Sequence, residues 1–250
     1  MPDQLTDMKG RPGRRYFYID VSRGIAIVMM IVFHFTYDLN HFNFVKVDFY
    51  HDSFWLNFRT LIVAFFLCLV GISLQLATAR GLNIRRYFFR LALLAGSAAM
   101  VSLGSYLMLP ERVILFGVLH FIALASVIGL LFRRFYWINL LLGIGVIVLG
   151  NQFQYEWFNA PAWHWIGLMT HKPNTFDYVP LVPWFGVVLV GMFLARMIEN
   201  YGLLGSAAQG GNIVTRLLAL GGRYSLLVYL LHQPIFFVGF YLVLLFIQPA

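Results

Sequence analysis

Long stretches without charge are the feature that most constrains what this chain can fold into. Several of them hold about 18 or more residues with few or no charges, which at 1.5 Å per residue is enough to cross a hydrocarbon core of about 30 Å. Of the 250 residues, 60% are hydrophobic and only 11% are charged, whereas about a quarter of the residues in soluble proteins are charged. The sequence therefore predicts an all-α integral membrane protein.

Seven stretches are candidate transmembrane helices. They cover residues 21–39, 54–77, 87–109, 113–131, 137–150, 181–198 and 226–247. With the N-terminus in the cytoplasm, fourteen of the 18 Lys and Arg residues lie inside, and only Lys46, Arg59, Arg112 and Lys172 lie outside. The positive-inside rule requires such an asymmetry, and one added or missed helix would scramble it. We therefore expect residues 1–250 to form a single domain, a multi-pass bundle of about seven transmembrane helices with a cytoplasmic N-terminus.

The segments outside the predicted helices differ in composition. Residues 1–18 are a basic cytoplasmic tail, and the apolar run that follows lacks a small-residue cleavage site, which indicates a retained helix rather than a signal peptide. Residues 40–53 and 151–180 are the long external loops. Residues 202–216 form a cytoplasmic linker. A short amphipathic segment begins within it, after Asn212. The aromatic residues of the second loop indicate an interfacial belt or a surface for stacking sugar rings.

The first predicted helix has the polar residues with the clearest geometric pattern. Arg23 and His34 are eleven positions apart, which places them about 20° apart around the helix and about 16 Å apart along it. Asp38 follows His34 by one turn and can accept a hydrogen bond from one imidazole nitrogen, leaving the other a better base. Ionisable groups are costly inside a membrane, and a base with an orienting carboxylate is typical of acyl transfer. A histidine that only bonds a neighbouring helix is the structural alternative.

Further polar residues fall in or beside the later spans. His120 lies at a depth close to that of His34, so the two could line one cavity. His232 lies nearer the cytoplasmic side, just before a proline whose missing N–H frees a carbonyl and suggests a lined cavity. Asp177 and Trp184 open the sixth span from the external side, where they indicate either a substrate contact or an anchored helix start.

Charge and cysteine content exclude other classes. The formal net charge is +8, but nucleic-acid binding needs a basic face on a soluble domain, and none is present. Cys68 is the lone cysteine, so neither a disulfide framework nor a cysteine metal site is expected. We expect no metal ion and no nucleic acid.

Four ordered motifs carry a resemblance to a known family. They are IDVSRGIAIVMMIVFHFTYDL at residues 19–39, FGVLHF at 116–121, DYVPLVPWFG at 177–186 and GRYSLLVYLLHQPIF at 222–236. In this order they resemble the bacterial branch of the heparan-alpha-glucosaminide N-acetyltransferase catalytic domain family, over nearly the whole chain. Arg23 and His34, with ten residues between them, also resemble the signature of bacterial membrane O-acyltransferases that modify surface polysaccharides.

The resemblance implies an enzyme of the bacterial inner membrane that moves an acyl group, most simply acetyl, from cytoplasmic acyl-coenzyme A to a sugar-type acceptor at the far side. It makes His34 and Asp38 the catalytic pair and brings Arg23 to the coenzyme. In the lysosomal relative the catalytic histidine belongs to the loop after the first span, where His51 is the nearest counterpart. The identity of the base is therefore open between His34 and His51.

The candidate residues fall into three groups. The catalytic candidates are His34, Asp38, His51 and His120. The coenzyme-binding candidates are Arg23, Arg85, Arg86, Arg223 and His232, because guanidinium groups at the cytoplasmic rim bind phosphate in a bidentate fork. The substrate-binding candidates are Asp177 and Trp184. The expected partners are the lipid bilayer, acyl-coenzyme A and a carbohydrate-type acceptor, and a homodimer is a possible assembly.

Three other classes compete with an acyltransferase. A transporter or flippase for a lipid-linked sugar or small polar substrate also needs a polar cavity, but it needs no coenzyme pocket. A di-haem electron carrier needs histidines paired at matching depth, which only His34 with His120 approach. An intramembrane serine protease is disfavoured, since no G-x-S-x-G motif occurs and Ser225 lies two turns from His232.

Overall fold

The computed structural model describes residues 16–79, 81–202 and 211–247, of which residue 247 is described by its backbone alone. Eight α-helices lie in these ranges, and no strand does. They are α1 Phe17–His41, α2 Ser53–Thr78, α3 Ile84–Met108, α4 Val118–Phe132, α5 Trp137–Gln152, α6 Leu181–Asn200, α7 Ile213–Arg223 and α8 Ser225–Ile247. Residues 1–15 of the predicted tail and 203–210 of the predicted linker lie outside the described residues. The predicted all-α fold is confirmed.

Seven of the helices are apolar. The helices α1, α2, α3, α6 and α8 are long and apolar enough to cross a membrane. The helices α4 and α5 are also apolar but have 15 and 16 residues, so they extend about 22 and 24 Å. The remaining helix, α7, has 11 residues and is amphipathic. The chain is therefore a helical membrane bundle, in which α4 is shorter than the predicted span 113–131 and α5 is two residues longer than the predicted span 137–150.

The fourth helix begins later than predicted because the residues before it are held in a turn. Ser102 of α3 donates a hydrogen bond to the carbonyl oxygen of Ile114 at 2.6 Å, and the N–H of Ile114 donates to Ser105 at 3.0 Å. These two bonds fix the chain against the end of α3. The helix starts only after Gly117, five residues beyond the predicted start at residue 113.

Local capping sets the beginnings of three helices. Asp52 accepts a hydrogen bond from the N–H of Phe54 at the start of α2. Asn83 and Asn212 cap α3 and α7 in the same way, through the N–H groups of Arg86 and Thr215. Such caps satisfy backbone donors that a helix start leaves unpaired.

The largest core cluster lies where α2, α4 and α6 pack together. Its most deeply buried side chains are Leu67 of α2, Phe121 of α4, and Val188, Leu189 and Met192 of α6. The outward faces of α3, α5 and α8 are apolar and exposed, as for Phe246 of α8. An apolar exterior around an apolar core fits helices surrounded by lipid.

The seven apolar helices alternate in direction, so that α8 runs parallel to α1, and the bundle has two chemically different ends. One end, here called the basic end, is tied together near Arg133 and Arg134. The side chain of Gln75 donates to the Arg133 carbonyl at 3.2 Å, and Arg196 donates to the Arg134 carbonyl at 2.6 Å. The opposite end, here called the outer end, carries the two long loops. Phe49 of the first loop is buried against Phe33 of α1.

The second outer loop is ordered by its own contacts. Trp157 stacks on Trp163 with ring centroids 4.6 Å apart. The hydroxyl of Tyr178 donates to the carbonyl of His164 at 2.6 Å, and the N–H of Tyr155 donates to the carbonyl of Leu168 at 2.9 Å. Some of the aromatic residues of this loop therefore pack against other residues of the same loop.

Candidate functional site

A cavity of about 280 Å³ enters the bundle at the basic end. It lies between α1, α2, α3, α4 and the α7–α8 junction. Polar side chains from four of these elements line it, among them Arg23, Ser73, Arg90, Arg223 and Tyr229. The remaining wall is mainly leucine, valine and isoleucine. A long ligand with a charged head and a less polar arm fits such a space best.

The mouth of the cavity is cationic and built around one carboxylate. Arg23 donates to Asp20 at 2.9 Å and to the hydroxyl of Ser73 at 2.6 Å. Arg223 approaches the other oxygen of Asp20 at 3.5 Å. The Asp20 side chain is 8% exposed, and those of Arg23 and Arg223 are 27% and 43% exposed. Arg90 also lines the cavity, so the mouth has three guanidinium groups, two of which contact the Asp20 carboxylate.

Two glycines allow α7 to lie directly on α1. A Cβ atom on Gly24 would come within 2.0 Å of the carbonyl oxygen of Leu218, and one on Gly222 would come within 1.8 Å of the carbonyl oxygen of Asp20. Any larger residue would push the helices apart. This contact brings Arg223, the next residue of α7, within reach of the Asp20 side chain.

At its inner end the cavity reaches Tyr229 of α8. The tyrosine hydroxyl donates to Asp177 at 3.0 Å, and the same carboxylate oxygen accepts the N–H of Val118 at 2.9 Å. Burial raises the pKa of Asp177, while the bonds from Val118 and Tyr229 oppose that rise. Asp177 therefore links the outer loop to α4 and α8. In the structure this predicted substrate-binding residue forms hydrogen bonds with the protein itself.

Two histidines meet one helical turn beyond Tyr229. The rings of His34 and His232 lie edge to face with centroids 4.9 Å apart. His34 Nδ1 bonds the carbonyl of Met30 at 2.9 Å, and His232 Nδ1 bonds the carbonyl of Tyr229 at 2.7 Å. A carbonyl only accepts, so in the neutral rings both Nδ1 atoms carry hydrogen, and both Nε2 atoms keep a lone pair. In the described residues, His232 Nε2 is buried without a hydrogen-bond partner.

The structure corrects the expected partners of His34. The predicted hydrogen bond with Asp38 is wrong, because His34 Nδ1 bonds the carbonyl of Met30 and neither Asp38 oxygen has a hydrogen-bond partner among the described residues. The predicted neighbour His120 lies elsewhere: it bonds Ser102 through Nε2 at 3.1 Å and accepts the N–H of Gly117. His232, expected at a shallower depth, is instead level with His34.

Asp38 is fully buried in α1, one turn beyond His34. Neither carboxylate oxygen has a hydrogen-bond partner within the described residues. The polar group beside it is the side-chain amide of Gln233, next to His232 in α8. Asp38 therefore does not orient His34 through a hydrogen bond.

His51 lies on the outer surface, away from the histidine pair. Its side chain is 86% exposed and bonds Asp48 at 2.9 Å. The N–H of Tyr50, together with bonds from His51, holds the pKa of Asp48 below its usual range. His51 is therefore freely accessible from the outer end.

The remaining candidates do not line the cavity. Arg85 and Arg86 line a separate surface groove with Phe89. Trp184 is partly buried and packs against the largest core cluster. No group of three or more His, Cys, Asp or Glu side chains placed to hold a metal occurs in the part of the chain that the structure describes.

Sequence reasoning missed several residues of the site. Arg90 lies four positions after Arg86 and hence one turn further along α3, which is the signal that could have found it. Asp20 lies one turn before Arg23, and Tyr229 lies one turn before His232. Helical spacing from the known candidates would therefore have found each of them.

The fold and the site define a multi-pass helical membrane protein with a cationic, ligand-sized cavity at one end. The sequence profile of the family described as heparan-alpha-glucosaminide N-acetyltransferase, catalytic, matches residues 15–234. The chain belongs to this family of membrane-embedded acyltransferases. No curated protein and no solved structure matches the chain.

Proposed function

We propose that the protein moves an acyl group, acetyl by analogy with its family, from cytoplasmic acyl-coenzyme A to a carbohydrate-type acceptor at or beyond the membrane. The observation that carries this proposal is the cavity, which has three arginines at its mouth and ends one helical turn from the His34–His232 pair. On this proposal the protein lies in the plasma membrane of bacteria, and its basic end faces the cytoplasm. Residues 1–18 and 202–216 then lie inside, and 40–53 and 151–180 lie outside.

The mouth supplies the chemistry that holds a phosphorylated donor. Guanidinium groups bind phosphate oxygens through paired, charge-assisted hydrogen bonds. Asp20 fixes Arg23 and Arg223 in place before the donor arrives, which reduces the side-chain entropy lost on binding. The mostly apolar wall of the cavity then accommodates the arm that leads to the thioester.

The distances along the helices fit such an arm. His34 lies eleven residues beyond Arg23 in α1, a rise of about 16 Å, and His232 lies seven residues beyond Ser225, the first residue of α8, a rise of about 10 Å. An extended pantetheine arm has a reach of about the same order. A thioester whose phosphates lie at the mouth would therefore meet the histidine pair.

Acyl transfer then needs one base and a leaving thiol. His34 Nε2 removes the proton from the acceptor hydroxyl or amine while the acceptor oxygen or nitrogen attacks the thioester carbonyl. The carbon–sulfur bond breaks, and the thiolate takes the proton from the imidazolium and leaves as the free thiol. His232 lies on the donor side of this pair and would contact the arm or the thioester carbonyl.

The other candidates belong to the acceptor side. Asp38 would bind the acceptor beside His34, and His51, the loop histidine suggested by the family, is the alternative base if the acceptor reacts at the outer surface. His120 and Asp177 would hold the outer opening through their contacts with α3, α4 and α8. Trp184 would support this region by packing.

The test is release of free thiol from acetyl-coenzyme A by purified protein in detergent, with an α-glucosaminide as acceptor. We expect His34→Ala to lower kcat by about 10²- to 10⁴-fold, the usual contribution of a general base. His171→Ala is the matched control, because His171 is exposed on the outer loop and its ring bonds its neighbour Thr170 at 3.4 Å.

The same assay decides between the histidines. If His51→Ala abolishes turnover and His34→Ala does not, the base belongs to the outer loop. Undiminished turnover in both variants would remove the base assignment. A wild-type protein that neither binds acetyl-coenzyme A nor releases thiol would refute the proposed function and favour the transporter alternative.

A further inference from the structure

We propose that the surface groove formed by Arg85, Arg86 and Phe89 binds the adenosine 3′-phosphate of the donor, while the cavity mouth binds its diphosphate. This inference rests on the proposed function, because it divides one coenzyme between two neighbouring sites. The groove has a volume of about 380 Å³.

The two sites adjoin along the first turns of α3. Arg86 lines the groove and Arg90 lines the cavity mouth. Four residues apart, they share one face of the helix and differ by about 6 Å in height. In the coenzyme the diphosphate and the 3′-phosphate are joined through one ribose, a span of about one helical turn. One coenzyme can therefore reach both arginine groups.

The charges of the two sites match the two anionic groups separately. At the mouth, the charges of Arg23, Arg90 and Arg223 exceed that of Asp20 by two, which corresponds to a diphosphate that carries two negative charges. The groove has two arginines and no acidic residue in its lining. A phosphate monoester carries close to two negative charges near pH 7, so the groove balances the 3′-phosphate.

The ring of Phe89 adds a surface for the base. Phe89 lines the groove together with the two arginines, and the residue is 72% exposed. Every nucleobase has a π-face that can stack on an aromatic ring. Arg85 and Phe89 are also four residues apart, so phosphate and adenine contacts come from adjacent positions on one helix.

Membrane topology offers a simpler explanation of the same arginines. Lys and Arg accumulate on the cytoplasmic side of helical membrane proteins, and aromatic residues accumulate at the interface. This explanation predicts that the effect of a variant depends on how many positive charges it removes from the basic end and not on which positions it changes. Ligand recognition predicts the reverse, so variants that remove equal charge at different positions separate the two.

The experiment compares coenzyme A with dephospho-coenzyme A, which lacks only the 3′-phosphate. Binding to the full chain in detergent is measured by calorimetry, and KM is measured for the two acetylated forms by thiol release. The test variant is Arg85→Gln with Arg86→Gln. The matched control is Arg133→Gln with Arg134→Gln, which removes the same charge at the same end but lines neither site. The double variant Arg85→Lys, Arg86→Lys keeps the positive charge at these positions. It is the control for an effect of charge on the insertion of the protein into the membrane.

We expect wild-type protein and the Arg133/Arg134 variant to bind coenzyme A about tenfold more tightly than dephospho-coenzyme A, the effect of one or two exposed charge-assisted hydrogen bonds. The Arg85/Arg86 glutamine variant should bind both ligands with the wild-type affinity for dephospho-coenzyme A. The lysine variant should retain part of the discrimination, because ammonium groups bind phosphate without the bidentate fork.

Two results would overturn the inference. One is a wild-type protein that binds the two ligands equally, and the other is discrimination that persists in the Arg85/Arg86 glutamine variant. Both results concern affinity and are independent of turnover. Coenzyme binding without thiol release would instead count against the proposed function and leave the division of the coenzyme supported.

Discussion

Two adjacent glycines of α7 should respond in opposite ways to the same substitution. Gly222 faces α1, and a Cβ atom there would lie 1.8 Å from the carbonyl oxygen of Asp20. Gly221 faces away, and a Cβ atom there has no neighbour within 4 Å. Gly222→Ala and Gly221→Ala therefore add the same methyl group to the same helix in two different surroundings.

The magnitudes follow from the contact distances. An ordinary contact of a Cβ atom begins at 3.4 Å, so Gly222→Ala requires α7 to retreat by about 1.6 Å from a backbone atom that cannot rotate away. Forcing such a shift in a packed interior costs about 1–3 kcal/mol. Gly221→Ala introduces no clash and improves the helix propensity by up to about 1 kcal/mol. Gly222→Ala gains a similar helix propensity, so this gain cancels and we expect the two variants to differ by about 1–3 kcal/mol, the cost of the clash.

The same displacement of α7 should also change the cavity mouth. Arg223 is 3.5 Å from the Asp20 carboxylate, and a shift of about 1.6 Å would break this ion pair if the helix moves directly away. Gly222→Ala should therefore weaken coenzyme A binding, whereas Gly221→Ala should leave it unchanged.

Thermal unfolding in detergent measures the first effect, and calorimetric titration with coenzyme A measures the second. At about 2–4 °C per kcal/mol for a chain of this size, Gly222→Ala should unfold several degrees below Gly221→Ala. Equal melting temperatures with equal coenzyme affinity would refute the close α1–α7 contact and, with it, the described geometry of the cavity mouth.

Two further predictions concern the inner end of the cavity. Because burial raises the pKa of Asp177, the folded state binds its proton more tightly than the unfolded state, and stability should fall as pH rises from about 4 through the folded-state pKa. Asp177→Asn should flatten that fall in thermal unfolding across this pH range, and an unchanged profile would contradict the assignment. Tyr229→Phe removes the hydroxyl that donates to Asp177 and should cost about 1–3 kcal/mol, so a variant as stable as the wild type would show that the bond contributes nothing.

The sequence predicts the helices better than their ends. Uncharged stretches identify all seven apolar helices because the cost of leaving backbone groups unpaired in lipid permits no other local structure. The start of α4 was misplaced because Ile114 is apolar, yet two serines of α3 hold it in a turn. Hydropathy measures which residues lipid tolerates and carries no information about such a contact.

The candidate site was predicted along helices but not between them. The stripe of Arg23 and His34 depends only on helical geometry, and Arg23 does line the cavity. The partner of His34 depends on how far α8 is shifted relative to α1, which hydropathy leaves undetermined by several residues. The ion pairs of Asp20 fix this register, because they place Arg23 and Arg223 at one level. His34 and His232 then meet, with ring centroids 4.9 Å apart.

Topology alone does not account for the position of Asp20. An arginine that only marks the cytoplasmic side needs no partner, since it can extend into the interfacial water. A carboxylate that is 8% exposed loses hydration, and replacing such a buried ion pair with apolar residues is often neutral or stabilising. Retaining Asp20 among three arginines is therefore better explained by ligand binding than by stability. Asp20→Asn should therefore weaken coenzyme A binding in a calorimetric titration while leaving the melting temperature close to that of the wild type, because the carboxylate orients guanidinium groups whose main partner is the donor. A variant that loses stability but keeps the wild-type affinity for coenzyme A would refute this explanation.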